Sequence, residues 1–280
     1  MLIMFKKLFN SFKKRKLEKS FAREPLFLEM LAHGLGEGHI TMIDIGSNDG
    51  LETIFALQLK GNDIDVHLLE PDPENLKICK KNIRYTCNDS TKIQFHQMAI
   101  SNKSVENDLF FRNPDSPHLN SATPNEQANV AMSISYVTLD AFLSSQAIES
   151  PLIIKMDIEG HEVEVLEGFL QFASSRKNIK ILMEVHPNTY SDEHSLEKIL
   201  KKYFEIGFKT IFVESAGLPV PKKFQEISMH PMKVIGHRGL YQNPTNDFIL
   251  MAACKEHLNP INDSGKMTRK IVRSLLLAND

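Results

Sequence analysis

The stretch IDIGSNDGLETIFAL, residues 43–57, decides the fold that this sequence predicts. Its apolar start is typical of a buried strand, and LETIFAL has the spacing of a helix. Gly46 and Gly50 mark the turn between them, where the backbone can approach a ligand closely and the helix N-terminus favours a carboxylate or phosphate. The stretch therefore predicts a strand–loop–helix unit with a ligand at its loop. A tight turn without a ligand is the alternative.

Runs typical of strands and of helices alternate after this unit. Strands are predicted in DIDVHLLEP, IQFHQMAI, PLIIKMDI and KILMEVHP, and helices in PENLKICKKNI and HEVEVLEGFLQFA. Near-continuous apolar strands that alternate with helices pair in parallel and are covered on both faces. The predicted fold is therefore α/β, a doubly wound, mostly parallel sheet with helices on both faces.

Composition divides the chain into three parts. Residues 1–40 form a separate helical leader, residues 41–256 the main domain, and residues 257–280 a tail that is predicted to be helical. Late in the main domain, a helix is predicted around SLEKILKKYF and strands in FKTIFVES and NDFILMAA. Two irregular segments, 112–130 and 215–246, are predicted to be long loops that cover a binding site.

The overall composition, 42% hydrophobic and 24% charged, is that of an ordinary globular protein. A formal net charge of -2 gives no reason to expect a nucleic-acid partner. Cys79, Cys87 and Cys254 are odd in number and form no CxxC pair, which argues against a disulfide framework or structural zinc site and predicts a cytoplasmic protein. No apolar run is long enough to span a bilayer, and the N-terminus lacks the apolar core of a signal peptide.

Residues 1–20 carry a signal for a membrane surface. Apolar residues recur there at helical spacing, and basic residues surround or follow them. The apolar set is Phe5, Leu8, Phe9 and Phe12, and the basic set is Lys6, Lys7, Lys13, Lys14, Arg15, Lys16 and Lys19. This pattern fits peripheral contact with anionic lipid on the cytoplasmic face of a membrane. Packing of the apolar stripe on the globular body is the alternative.

The spacing of the glycine loop favours an amino-acid moiety over a dinucleotide. A dinucleotide fingerprint needs G-x-G-x-x-G, but Asn48 takes its third position, so that Gly46 and Gly50 are spaced G-x-x-x-G. One strand over, Glu70 ends an apolar run, where its carboxylate can accept hydrogen bonds from both ribose hydroxyls. A solvated acid before a turn is the alternative for Glu70.

A second set of polar residues follows two later strands. Asp157 comes directly after PLIIKM and should lie at the carboxyl edge of the sheet, where ligands bind in this architecture. Glu159 and Glu162 can also cap the next helix, and for Glu162 this interpretation is preferred. On the neighbouring strand Glu184 and His186 share one face. Histidine titrates near neutrality and suits proton removal from a hydroxyl, and a structural His at the strand end is the alternative.

In this combination and order, the sequence resembles the FkbM-type methyltransferases. The matching stretches are IDIGSNDGLETIFAL, VHLLEPDPENLKICKKNI, QMAISNKSVENDLFF, SYVTLDAFL, PLIIKMDIEGHEVEVLEGFL and ILMEVHP. They cover roughly residues 41–190. The resemblance implies a Rossmann-like methyltransferase fold, S-adenosylmethionine as methyl donor, and O-methylation of sugars, glycolipids or polyketide-type natural products.

The resemblance also implies roles for individual residues. It places four residues around the methionine portion of the cofactor, one on the ribose, two near the adenine and one near the sulfonium: Asp44, Gly46, Asn48 and Gly50; Glu70; Met98 and Ala99; and Asp157. Two departures limit the transfer. No acid follows the third strand to hold the adenine amino group, so backbone groups would have to do so. His161 stands where family members often carry a small or aromatic residue, and it is assigned no role.

We therefore predict an S-adenosylmethionine-dependent O-methyltransferase that acts on a hydroxyl of a small molecule, sugar or glycolipid. His186 is the predicted base, and Asp157 and Glu159 orient the cofactor or the acceptor. A magnesium-assisted variant, with Glu184 as a further ligand, is an alternative that is not favoured, because these residues lack a diagnostic spacing; no metal site is predicted. The same motifs are also compatible with a nicotinamide-dependent oxidoreductase or with a non-catalytic cofactor-binding protein.

Overall fold

The structure, a computed structural model, describes residues 24–86, 93–113, 120, 122, 128–215, 232–236, 238–253 and 272–279. The strands are β1 Ile40–Ile45, β2 Ile64–Leu69, β3 Ile93–His96, β4 Ala99–Ser101, β5 Val105–Arg112, β6 Val130–Thr138, β7 Leu152–Met156, β8 Ile179–Glu184, β9 Lys209–Ser215, β10 Lys233–Ile235, β11 Arg238–Gln242 and β12 Val272–Ala278. The α-helices are α1 Pro25–Leu35, α2 Leu51–Lys60, α3 Pro73–Thr86, α4 Leu139–Ser145, α5 Glu162–Glu167, α6 Leu170–Ser175, α7 Leu196–Glu205 and α8 Asn246–Ala252.

The central sheet has the strand order β10-β11-β9-β12-β8-β7-β1-β2-β3. Strands β3, β2, β1, β7 and β8 are parallel, and β12 runs antiparallel between β8 and β9. The strand order reverses at β1, which pairs with β2 on one side and with β7 on the other. Ligands bind beyond the carboxyl ends of the strands at such a reversal, so the topology locates the site before any side chain is considered.

Helices cover both faces of this sheet, as predicted. One core contains α1, α2 and the buried residues of α3, packed on Met42, Leu182 and Leu276. The other contains the buried residues of α4 to α8, packed on Ile45 and Met183. Strands buried on both faces have no polar side, which is why they are near-continuous apolar runs in the sequence. The predicted doubly wound α/β fold is therefore confirmed, as a parallel five-stranded core with an antiparallel extension.

A second, three-stranded sheet, which we call the arm sheet, has the order β4-β6-β5. The run IQFHQMAI, predicted as one strand, divides between β3 of the central sheet and β4 of the arm sheet. Phe110, Ile134 and Tyr136 form a small core on one face of the arm sheet. The predicted loop 112–130 begins and ends in β5 and β6, and most of the residues between them lie outside the described part of the chain.

The predicted helical leader over residues 1–40 does contain a helix, at residues 25–35, but this helix is not separate from the main domain. Residues 25–35 form α1, whose Leu26, Met30 and Leu31 are fully buried against the central sheet. The apolar surface of this helix covers one face of the sheet, so α1 is an integral part of the fold. Residues 1–23 lie outside the described residues.

Three predictions near the C-terminus need correction. NDFILMAA, predicted as a strand, contains α8, whose N-cap Thr245 accepts a hydrogen bond from the Phe248 N–H. The tail, predicted to be helical, contains β12, because SLLLA is buried on both faces between β8 and β9. Within the predicted loop 215–246, β10 and β11 pair as an antiparallel hairpin, and residues 216–231 are not described.

None of the helices within the described ranges has the length and apolar character needed to cross a bilayer.

Candidate active site

A cavity of ≈ 210 Å³ lies at the carboxyl edge of the parallel strands, where β1, β2 and β7 end. Its walls come from the glycine loop after β1, the turns after β2 and β7, and the arm sheet. The predicted site residues that line it are Gly46, Asn48, Glu70, Met98, Ala99, Asp157 and Glu159. The structure thus brings residues from four separate sequence motifs to one cavity.

The glycine loop is too tightly packed to accept side chains at its two glycines. Gly46 has φ +70, and a Cβ there would lie 2.5 Å from the Asp157 carbonyl oxygen. Gly50 has φ +81, and a Cβ there would lie 2.7 Å from Cys79 Sγ on α3. Gly46 therefore lets the loop approach the turn after β7 at the cavity wall. Gly50, predicted to lie near the ligand, does not line the cavity and instead allows close contact with α3.

Glu70 is held rigidly at the cavity wall by backbone donors. Its Oε2 accepts a hydrogen bond from the Asn48 N–H at 2.9 Å, and its Oε1 accepts one from the Asp72 N–H at 3.0 Å. Burial raises the pKa of Glu70 to about 7, against the lowering effect of these N–H groups. The Asn75 side chain also donates to this carboxyl, which has about four acceptor positions, so a position remains for a hydroxyl of a ligand.

Asp44, which was predicted to lie near the methionine portion of the cofactor, lies beneath the glycine loop and does not line the cavity. Its Oδ2 accepts a hydrogen bond from Thr53 Oγ1 at 2.7 Å, and its Oδ1 lies 3.0 Å from Lys155 Nζ. Lys155 Nζ also donates to the Gly46 carbonyl oxygen at 3.1 Å. Asp44 and Lys155 are neighbours on the paired strands β1 and β7, and both are buried. Together they support the loop from below.

Lys155 is not among the predicted site residues, although a lysine inside the apolar run PLIIKMD is unusual. Burial would lower the pKa of Lys155, but the negative charges of Asp44, Glu52 and Asp157 outweigh this effect and raise it. Burial also raises the pKa of Glu52 to about 7, although the Lys155 ammonium opposes that shift. The ammonium therefore stays charged, and it binds the loop and the acids around it.

The three predicted catalytic residues come together. Asp157, Glu159 and His186 each offer a polar atom, and these atoms all lie within 4.8 Å of one another. Glu159 lines the cavity, whereas His186 is buried behind it, with its Nε2 3.5 Å from Glu159 Oε2. Glu159 has a φ of 53°, which is unusual for a residue with a side chain, and Gly160 follows with φ +101. The turn after β7 therefore presents Glu159 between the cavity and the imidazole.

Glu162 fixes the orientation of this imidazole. Its Oε1 lies 2.8 Å from His186 Nδ1, and its Oε2 accepts a hydrogen bond from the Tyr190 hydroxyl at 2.9 Å. Burial alone would raise the pKa of Glu162, but hydrogen bonds from His186, Gly160 and Tyr190 lower it. Glu162 lies in the first turn of α5, as expected of a helix-capping acid. Its carboxylate nevertheless orients His186, because an ionised carboxylate accepts a hydrogen bond from Nδ1–H and leaves Nε2 directed at Glu159.

Glu184 does not join this group, contrary to the grouping considered for a magnesium site. Its Oε1 lies 3.5 Å from Arg273 Nη2, which comes from the neighbouring strand β12. The tail was predicted to be helical, so nothing in the sequence indicated that Arg273 would lie beside Glu184 on a neighbouring strand. The set that could hold a cation, within the described residues, is Asp157, Glu159 and His186.

His161 lines the cavity, although the sequence analysis assigned it no role. Its Nε2 lies 3.1 Å from Ser101 Oγ, and its Nδ1 lies 3.3 Å from Glu164. Burial lowers the pKa of His161, while Glu164 opposes this shift. Phe110 and Tyr136 of the arm sheet also line the cavity, and only the alternating pattern of their strands could have indicated them.

The chain is similar to known methyltransferases. A family model described as the methyltransferase FkbM domain matches residues 44–210. The curated hexuronic acid methyltransferase AglP of Haloferax volcanii is 25% identical over 159 residues, and the matched region is 57% of this chain and 60% of that protein. The chain therefore spans less than two thirds of the curated relative that it matches.

Two of the solved structures that the chain matches are methyltransferases by name. The methyltransferase FkbM of Methylobacillus flagellatus KT has a TM-score of 0.38 and 16% identity, covering 60% of this chain and 49% of that one. The O-methyltransferase of Bacillus cereus in complex with SAH has a TM-score of 0.41 and 13% identity, covering 70% of this chain and 75% of that one.

Proposed function

Because this chain belongs to the FkbM methyltransferase family, we propose that it transfers a methyl group from S-adenosylmethionine to a hydroxyl of a sugar or another small molecule. The observation that carries the proposal is the buried Glu70 carboxyl, fixed by the Asn48 and Asp72 N–H groups at the wall of the cavity. A carboxyl held in this way, one strand from a tightly packed glycine loop, suits a ribose hydroxyl.

The residues that line the cavity fit the parts of S-adenosylmethionine. Glu70 would hold the ribose, the backbone of Gly46 and Asn48 would hold the amino-acid portion, and Met98 and Phe110 would offer apolar surface to the adenine. A Cβ at Gly46 would collide with the Asp157 carbonyl oxygen, so glycine is needed for the loop to lie this close to the turn after β7. When bound, the cofactor supplies an activated methyl group on a sulfonium, and the Asp157 carboxylate lines the same cavity.

The protein's further task is to take the hydroxyl proton from the acceptor. Glu159 is on the cavity wall and His186 Nε2 lies 3.5 Å behind it. We expect the proton to leave toward Glu159 and to be shared with His186, whose imidazole is oriented by Glu162 at Nδ1. Glu159 then lies between His186 and the acceptor, whereas His186 was predicted to take the proton itself.

A magnesium-assisted variant has one observation in its favour. Asp157, Glu159 and His186 offer polar atoms within 4.8 Å of one another, and Glu162 supports His186 as a carboxylate supports a metal-bound imidazole. A divalent cation held there would lower the pKa of an acceptor hydroxyl. Loss of activity on chelation, with recovery on addition of Mg²⁺, would favour this variant over proton removal by Glu159 and His186.

A uronic acid is the first acceptor to test, because the curated relative is named for a hexuronic acid. We propose incubation with S-adenosylmethionine labelled in its methyl group and a panel of hexuronic acids, neutral hexoses and their glycosides. The expected product carries the label as a methyl ether, which resists mild alkali. Label that alkali releases as methanol would place the methyl on a carboxyl group and would contradict the hydroxyl assignment.

A further inference from the structure

Asp72, two residues after Glu70, is a fully buried carboxylate that the proposed chemistry does not use. Its Oδ2 accepts hydrogen bonds from Arg112 Nε at 2.6 Å and from Asn120 Nδ2 at 2.9 Å. Its Oδ1 accepts the Glu74 N–H at 2.8 Å at the start of α3. A buried charge is costly unless it is paired and hydrogen-bonded, so these partners account for the presence of Asp72 in the interior.

The two side chains that donate to Asp72 come from the arm-sheet strand β5 and the segment that follows it. Arg112 ends β5, the arm-sheet strand that carries the cavity residue Phe110. Asn120 lines the cavity itself, and its Oδ1 accepts the Asn113 N–H at 2.8 Å. On the inner side, the Asp72 N–H donates to Glu70 Oε1. One residue therefore joins the turn that carries Glu70 to the wall that faces it.

We propose that Asp72 is a positioning residue for the cofactor, which fastens the arm sheet and Asn120 to the turn that carries Glu70. The inference rests on the proposed function, because it takes S-adenosylmethionine as the occupant of the cavity. Through Asp72, the ribose contact and the wall on the adenosine side of the cavity are held in one arrangement. The cavity then has its binding shape before the cofactor binds, so binding does not include the free-energy cost of ordering its walls.

Asp72→Asn tests this role with little change in shape. The amide oxygen can still accept the Glu74 N–H, but the amide NH₂ then faces two donors, Arg112 Nε and Asn120 Nδ2. We expect the Kd for S-adenosylhomocysteine to rise by roughly tenfold, as for the loss of charge-assisted hydrogen bonds. The same factor is expected for methylthioadenosine, which lacks the amino-acid portion, because Asp72 acts on the adenosine side.

Arg112→Gln and the double variant Asp72→Asn/Arg112→Gln complete a mutant cycle. Because the two residues act through one contact, and because two amides can pair, the double variant should bind no more weakly than either single variant. Asp108→Asn is the matched control. It removes the charge of Asp108 on β5 from the 2.7 Å ion pair with Lys103, at a partly exposed position outside the cavity, and should leave both dissociation constants unchanged.

Calorimetric titrations distinguish failure of the proposed function from failure of the proposed role of Asp72. A wild-type protein that binds neither ligand would refute the proposed function itself. If the wild type binds and the Kd of Asp72→Asn is unchanged, the role of Asp72 is refuted but the proposed function is not. The role of Asp72 is also refuted if the factors by which the two single variants raise Kd multiply in the double variant. If Asp72→Asn does not fold, Arg112→Gln carries the test, because it leaves the contact between Asp72 and α3 in place. An unchanged Kd in Arg112→Gln would then overturn the inference.

Discussion

At the scale of single residues, the site is defined by buried carboxyls that differ in their partners. Glu70 receives neutral N–H donors, and burial raises its pKa to about 7. Glu162 is also buried, but it faces the His186 imidazole, and its pKa is lowered. The two pKa values shift in opposite directions because of the groups that the carboxyls face. Burial disfavours the charge of both, and only Glu162 has an imidazole beside it that outweighs this effect. The first carboxyl suits ligand binding, and the second suits orientation of a base.

The role of His186 predicts a loss of turnover without a loss of cofactor affinity. His186→Ala should lower kcat by about a hundredfold, the range expected for removal of a group that accepts a proton. Glu162→Gln should lower kcat less, because the imidazole remains. His39→Ala, at an exposed histidine paired with Asp65, is the matched control and should keep wild-type activity. Wild-type kcat in His186→Ala, measured with labelled cofactor, would remove His186 from the proposed mechanism.

The raised pKa of Glu70 predicts a specific dependence of stability on pH. Its carboxyl keeps its proton up to about pH 7 in the folded protein but only to its ordinary value of 4.5 when unfolded. The stabilising contribution of Glu70 is thus present below pH 4.5 and is lost as pH rises through 7. Glu70→Gln cannot ionise. The free energy of unfolding of the wild type, minus that of Glu70→Gln, should therefore fall by about 2–3 kcal/mol from near pH 5 to about pH 8.

Urea unfolding of the ligand-free proteins at the two pH values measures this difference. Taking the difference removes the contributions of the remaining titrating groups, including the histidines whose pKa values are lowered. A constant difference between wild type and variant across this range would show that Glu70 ionises normally in the folded protein.

At the scale of secondary-structure elements, prediction succeeded where a strand is buried on both faces. The runs around Asp44, Glu70 and Asp157 are such strands, and their carboxyl ends locate the cavity without further information. The short run NDFILMAA fits a strand or a helix equally well, and the Thr245 cap decides for α8. The contacts of Glu162 and Asp72 depend on chain segments far apart in sequence, so no local pattern could reveal them.

The insertion of β12 between β8 and β9 predicts that its residues stabilise both cores. Leu275 belongs to the core with α7, and Leu276 to the core with α1. Leu275→Ala and Leu276→Ala should each lower the free energy of unfolding by about 2–5 kcal/mol, as for large-to-small changes in a core. Leu109→Ala, on the exposed side of the arm sheet, is the matched control and should change it by less than about 1 kcal/mol.

Chemical denaturation of the full chain and its variants decides this point. If Leu276→Ala were as stable as Leu109→Ala, the pairing of β12 within the central sheet would be wrong.

At the scale of the whole molecule, the cavity exists only where two sheets meet. The central sheet supplies the glycine loop and Glu70, and the arm sheet supplies Phe110 and Tyr136. Asp72 joins these parts through Arg112. Substitutions in the arm sheet should therefore change cofactor affinity, although Ala99 alone among the predicted cofactor residues lies in that sheet.

Residues 1–20 lie outside the described part of the chain, and we propose that they contact anionic membrane surfaces. Their aromatic residues and lysines have the composition of an interfacial helix. The full chain should pellet with anionic vesicles at low salt, and a chain that starts at Phe21 should not. Neutral vesicles are the control, because the basic residues give no attraction to them. Equal pelleting of the two chains on anionic vesicles would exclude this role.

The central claim is that the cavity binds the methyl donor through Glu70, and calorimetric titration with S-adenosylhomocysteine tests it most directly. We predict one site in the wild type, with binding weakened by roughly 1–3 kcal/mol in Glu70→Ala, the cost of lost charge-assisted hydrogen bonds. Glu106→Ala, at an exposed acid on the arm sheet, should bind as the wild type does. No binding to the wild type, or equal affinity of the wild type and Glu70→Ala, would contradict the claim.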